Sequence, residues 1–217
     1  MNDMTLYLII ALAPLAGCLL AGLFGNRIGR AGAHSATILG VAVSAVLSLY
    51  VLYGFATGTR AKFDENVYTW LTMGGVDFSV GFLVDSLTAM MMVVVTVVSL
   101  MVHIYTIGYM HDEAVGYQRF FSYISLFTFS MLMLIMSNNF IQLFFGWEAV
   151  GLVSYLLIGF YFKKPTAIFA NLKAFLVNRV GDFGFLLGIG LVLAYFGGSL
   201  RYQDVFAYLP NVAGIQF

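Results

Sequence analysis

The chain has 217 residues, 61% of them hydrophobic and only 9% charged, and its mean hydropathy is +0.94. A water-soluble domain carries about a quarter charged residues, so too few polar groups remain here to cover a surface facing water, and a soluble enzyme is excluded. Ten basic residues against ten acidic ones leave no net charge, and nothing points to nucleic acid as a partner.

Taken in chain order, the apolar stretches predict an all-α fold, a polytopic transmembrane bundle of about six spans. They fall near 4–24, 34–55, 82–108, 119–137, 139–162 and 166–196. The first is preceded by Asp3 and by no Lys or Arg, and its basic residues, Arg27 and Arg30, come after it. It therefore reads as a retained span and not as a leader peptide. Cys18 lies inside this run; as the only cysteine it has no partner for an intrachain disulfide. His34, His103 and His111 are scattered, with no metal-binding spacing, and no glycine-rich nucleotide loop is present.

Residues 56–81 form the longest connection. They hold Arg60, Lys62, Asp64, Glu65 and Asp77, and two alternating runs, VYTWLTM and VDFSVGF, around Gly74-Gly75. Period-2 segments flanking Gly-Gly predict a short hairpin at the membrane surface, with Tyr68 and Trp70 suited to the interface. The loops holding Arg27, Arg30, Arg119, Lys163 and Lys164 alternate with those holding Arg60, Lys62 and Arg201. This bias places the N-terminus outside. After the sixth span, GGSLRYQDVFAYLPNVAGIQF reads as an amphipathic interfacial segment behind a glycine break.

Ionisable groups within a span cost roughly 2.5–3.5 kcal/mol each at the helix centre, so those present carry the functional information. Glu148 lies near the middle of the fifth span, and Gly151, Tyr155 and Gly159 share its face at about 100° per residue. The small residues suit close helix approach. A carboxylate there is costly to ionise unless a cation stands beside it, so its proton affinity follows its neighbour. In the sixth span Arg179 and Asp182, three apart, project from one face and can pair. Gly181, Gly184 and Gly188 form a stripe opposite, and Lys173 lies nearer that stripe. Structural and transport roles both fit the Arg179–Asp182 pair. In the third span Asp85, Thr88, Thr96, Ser99, His103 and Thr106 fall within about 60° of one line. That strip could order water, but hydroxyl-to-backbone bonding with Asp85 as a helix cap is the better reading.

The stretch RFFSYISLFTFSMLMLIMSNNFIQLFFGWEAVGLVSYLLIGFYF, followed by KAFLVNRVGDFGFLLGIG, resembles subunit L of the bacterial NADH–quinone oxidoreductase, respiratory complex I, and VGFLVDSLTAMM is a further point of likeness. The resemblance implies a proton-translocating, antiporter-like subunit of the bacterial inner membrane, with no redox cofactor or metal of its own. It would be partnered by other membrane subunits, above all a neighbouring antiporter-like one, and by lipid. It implies that Glu148 transfers protons in concert with a lysine on a later helix, supported by Lys173, Arg179 and Asp182. Members of that family hold two inverted repeats of many more spans, so this chain corresponds to an N-terminal part that should not pump alone. Two other readings compete: the large subunit of an Mrp-type sodium/proton antiporter, which carries a similar WE…LLIGF segment, and a structural membrane scaffold.

Overall fold

The computed structural model describes residues 2–74, 76–113 and 116–212. Its elements are α1 (Asp3–Ala56), β1 (Phe63–Met73), β2 (Val76–Val84), α2 (Ser86–Tyr109), α3 (Tyr117–Ile135) and α4 (Phe140–Ile158). A short 3-10 turn (Gly159–Tyr161), α5 (Pro165–Tyr195) and α6 (Tyr202–Val212) follow. Five helices are long and apolar enough to cross a membrane, and the first of them is 54 residues long.

That length hides a fold-back. Gly29 has φ 69° and ψ −173°, values outside the helical region that only glycine adopts without strain. The chain reverses there, and the two arms of α1 pack side by side. A Cβ on Gly17 would sit 3.0 Å from the Ala36 carbonyl oxygen, and one on Gly40 would sit 2.5 Å from that of Ala13. The glycines are what allow the arms to close. Pro14 lacks an N–H, which leaves the Ile10 carbonyl without its helical donor. Ser44 Oγ, on the opposite arm, donates to that carbonyl at 2.7 Å. No water is at hand in the interior of a bilayer to do so instead. Ser125 Oγ of α3 donates in turn to the Pro14 carbonyl at 2.7 Å, and Ser122 Oγ to the Cys18 carbonyl at 3.0 Å, so α3 is pinned to the first arm.

The hairpin forms as expected, antiparallel in register from Phe63 opposite Val84 to Met73 opposite Val76. Tyr68 and Trp70 are exposed on β1. Gly75, in the expected turn, and residues 213–217 of the expected tail lie outside the described residues. Hydropathy alone starts the third span at 82, but Phe82 to Val84 belong to β2, with Phe82 and Val84 buried in the core alongside α1, and the helix begins at Ser86. Apolar content does not distinguish a buried strand from a helix start. The tail forms the amphipathic α6 after Gly197 and Gly198, both at φ 75°.

A polar clasp that the sequence reading passed over as a mere connection holds the hairpin. Asn138 Nδ2 donates to Asn66 Oδ1 at 2.9 Å and to Asp64 Oδ1 at 3.2 Å, and Asn139 Nδ2 donates to the Ser79 carbonyl at 3.0 Å. The Gly81 amide donates to Gln142 Oε1 at 2.8 Å. Arg201, at the start of the tail, lies 3.6 Å from Asp64. Strand, α3–α4 turn and tail are thereby tied at one end of the bundle, where Arg60 also pairs with Asp3 at 2.6 Å. At the other end Arg30 Nη1 donates to the His111 carbonyl at 2.9 Å, and Arg119 stacks on Phe160 and Phe162. The two groups of basic residues separated by sequence therefore occupy opposite ends.

Candidate functional site: a charged cluster between α4 and α5

Asn139 starts α4 by accepting the Gln142 amide on its side chain at 2.8 Å, and Pro165 occupies the first turn of α5. The short link between the two helices makes them antiparallel neighbours, with Glu148 at mid-length of α4 facing Arg179 of α5. Arg179 Nη1 donates to Glu148 Oε2, and the same nitrogen lies 3.4 Å from Asp182 Oδ2. The expected i,i+3 pair is present, but the guanidinium also has a second carboxylate across the helix gap. Its plane lies near Phe175, 5.0 Å from ring centre to Cζ.

Trp147, which the sequence reading did not single out, completes the cluster. Its Nε1–H donates to Asp182 Oδ1 at 2.9 Å. An indole in a membrane helix is common enough to escape notice; its place beside Glu148 was the available signal. Asp182 is only 6% exposed, and each of its oxygens has a partner. One guanidinium therefore serves two carboxylates. With all three groups ionised the cluster carries one net negative charge beside a largely apolar cleft.

Beside the cluster, between α3, α4 and α5, runs a cleft of about 600 Å³ lined by Trp147, Gly151, Ser154, Asn178 and Asp182 among apolar neighbours. Gly151 does not mediate close helix approach among the described residues: none of them lies within 4 Å of a Cβ placed there. Gly159, further along the same face, does pack closely, against the Asn171 side chain. Gly181, Gly184 and Gly188 likewise meet nothing, and most of α5 is uncovered.

The other candidates lie apart from this cluster. Lys173 is exposed and has no ion pair among the described residues. Asp85 is the N-cap of α2, accepting the Thr88 amide at 2.8 Å. Thr96 and Thr106 bond to the carbonyls four residues back. His103 is fully buried, with Nδ1 2.8 Å from the Ser99 carbonyl oxygen, Nε2 without a partner among the described residues, and its ring beside Phe121. Ser99 Oγ meets Thr128 Oγ1 at 2.5 Å. Asp85, Thr96 and Thr106 thus make cap and hydroxyl-to-backbone bonds, while Ser99 pairs with a hydroxyl of α3.

Comparison with known proteins places this architecture. Residues 70–121 match the family model described as NADH-ubiquinone oxidoreductase (complex I), chain 5 N-terminus, and residues 137–216 match that of NADH:quinone oxidoreductase/Mrp antiporter, TM. The chain is 91% identical over 212 residues to NADH-quinone oxidoreductase subunit L of Neisseria meningitidis serogroup A, a match covering 98% of this chain. The chain belongs to the subunit L family of NADH-quinone oxidoreductases. Subunit L of Rhodobacter capsulatus is 46% identical over 94% of the chain, and chain 5 of the Arabidopsis thaliana NADH-ubiquinone oxidoreductase is 48% identical over 85%. The chain spans about a third of the length of these relatives, 32%, 29% and 27% respectively. In fold it is similar to a chain of the membrane-bound sulfane sulfur reductase, an archaeal respiratory membrane complex, at TM-score 0.75 and 20% identity, covering 94% of this chain and 30% of that one. The second family match holds the whole cluster, from Trp147 to Asp182, and the first holds His103 and Asp85.

Proposed function

We propose that the chain is the proton-handling N-terminal part of a complex I membrane subunit, and that Glu148 is the group that takes up and passes on the proton. The observation that carries this reading is Arg179 shared between Glu148 and Asp182. A carboxylate whose only cation is divided with a second carboxylate responds strongly to small changes in pairing. When Arg179 leans toward Asp182, Glu148 is left to bind a proton; when it leans back, Glu148 releases it. A lysine from the remainder of the subunit would act on Glu148 from the open side of the cleft. Trp147 holds Asp182 in place through this exchange, and Lys173, apart from the cluster, would support coupling through the remainder of the subunit.

The driving energy would come from quinone reduction in other subunits, which would hold the redox groups, with the change relayed through a neighbouring antiporter-like subunit as a coupling between distant sites. We place the protein in the bacterial inner membrane with the Arg30–Arg119 end inside and the hairpin outside. An Mrp-type antiporter is the second reading, favoured by the family model that describes both groups. The test is proton pumping per NADH oxidised in membrane vesicles holding the full-length subunit in its complex, wild type against Glu148→Gln. Loss of pumping with the complex assembled is the expected result. Unchanged pumping would reduce Glu148 to a structural carboxylate, and a wild type without NADH-linked activity would favour the antiporter.

A further inference from the structure

At the end of the bundle away from the hairpin, a pocket of about 290 Å³ is lined by Glu113, Arg119, Phe160, Tyr161, Phe162, Lys163 and Lys164. Three cations meet one carboxylate there. That carboxylate is already engaged, since Glu113 Oε1 accepts the Tyr161 hydroxyl at 3.0 Å. Two of the three cations, Arg119 and Lys164, are held by rings instead of by acids. The Arg119 guanidinium carbon lies 5.1 Å from the Phe160 ring centre and 5.4 Å from that of Phe162, and Lys164 Nζ lies 4.5 Å from that of Tyr161. Arg119 Nε is buried and has no hydrogen-bond partner among the described residues. None of the three cations has an ion pair among those residues. Ring stacking positions a cation without neutralising it, so the pocket keeps an uncompensated positive charge at the boundary between helix bundle and water.

The surface next to it is of the opposite kind. Phe162 is exposed, and Ile168, Phe169 and Leu172 in the first turns of α5 present an apolar face. A soluble anion has use for the cations only. A molecule with a phosphate head and hydrocarbon tails has use for both, the head among Arg119, Lys163 and Lys164 and the tails along α5.

We infer that this pocket binds the headgroup of an anionic phospholipid. Guanidinium and ammonium donors suit a phosphodiester, and basic pockets between membrane helices recognise such headgroups. The site lies at the far end of α4 and α5 from the clasp and is independent of the Glu148 cluster.

The experiment uses the assembled complex with full-length subunit in nanodiscs of phosphatidylcholine, probed with photoreactive phosphatidylglycerol or photoreactive phosphatidylcholine and mapped by peptide mass spectrometry. Phosphatidylglycerol should label the segment around 160–172 in preference to phosphatidylcholine. Arg119→Gln/Lys163→Gln/Lys164→Gln should lower that labelling by on the order of tenfold, whereas Lys163→Arg/Lys164→Arg, and Arg27→Gln outside the pocket, should retain it. Equal labelling by the two lipids overturns the proposal, as does an equal drop with Arg27→Gln. Loss of label to millimolar inorganic phosphate would mean a simple anion site. A crosslink from the pocket to an acidic segment of the same subunit, with no lipid label, would mean that protein fills it. If the triple variant fails to assemble, lipid selectivity and phosphate competition in the wild type still decide.

Discussion

Trp147 donates its indole N–H to Asp182 across the α4–α5 hairpin at 2.9 Å, while Glu148, the next residue along α4, takes the guanidinium of Arg179. Two adjacent residues of one helix thus grip both members of an i,i+3 pair on the other. The indole fixes Asp182, and Asp182 limits how far Arg179 can turn toward Glu148.

Trp147→Phe removes that donor and keeps most of the ring. A hydrogen bond to a charged group is worth about 1.5–3 kcal/mol, so Arg179 should shift toward the freed Asp182 and away from Glu148. The expected outcome is pumping lowered several-fold with assembly intact, a smaller defect than that of Glu148→Gln. Proton uptake per NADH in vesicles checks it, and wild-type pumping would mean that the indole is merely packed there.

Arg179 itself separates charge from geometry. Arg179→Lys keeps the charge but cannot reach two carboxylates with a planar fork, so it should retain part of the pumping, whereas Arg179→Gln leaves the buried Asp182 and the half-buried Glu148 without a cation and should abolish both pumping and stable assembly. Native gels alongside vesicle pumping distinguish the two variants. Equal behaviour of Lys and Gln would show that the cation is dispensable.

The Pro14–Ser44 relationship makes a stability prediction. Ser44→Ala strands the Ile10 carbonyl and should cost about 1–3 kcal/mol. In a Pro14→Ala background the helix regains its own donor, and the same change should cost much less. Thermal melts of the detergent-solubilised complex test this, and equal costs in the two backgrounds would break the link drawn between the proline and the serine.

Hairpin anchoring gives another. Asn138→Ala removes the donors to Asp64 and Asn66. Faster hydrogen exchange or proteolysis within 60–84 should follow, with little change in the spans themselves. Unaltered exchange would mean that the remaining bonds of the clasp suffice.

Glycines that look alike in sequence should behave differently. Gly40→Ala drives a methyl group into backbone on the facing arm and should block assembly. Gly184→Ala meets nothing among the described residues, so a cost in the full-length subunit would point to packing against the remainder of that protein. Assembly yields of the two variants, compared side by side, are the readout.

Much of this was open to reading. Spans are legible because the bilayer demands long apolar runs, and Glu148, Arg179 and Asp182 stood out because charge within such a run is expensive. The hairpin announced itself through alternation around Gly74. What stayed hidden was pairing between distant segments. Nothing local in the sequence says that Arg179 reaches Glu148 as well as Asp182, or that Trp147 closes the set. Asn138 and Asn139 at the junction of two spans, and Gln142 inside the fifth, drew no notice because uncharged amides carry no obvious cost until they are buried. The start of α2 was misplaced for a related reason: VGFLV is as apolar as a helix and is a strand. Lys173 shows the converse, a charged residue in a span that finds no partner in this part of the molecule.

The turn at Gly29 bears on how the protein is made. Its two arms join through one residue, with Arg27 and Arg30 at the apex and no loop to spare. The two arms should therefore enter the membrane together, with the arginines favouring retention of the apex on the side of entry. The 54-residue helix should thus insert as a closed pair and bias the sidedness of the helices that follow.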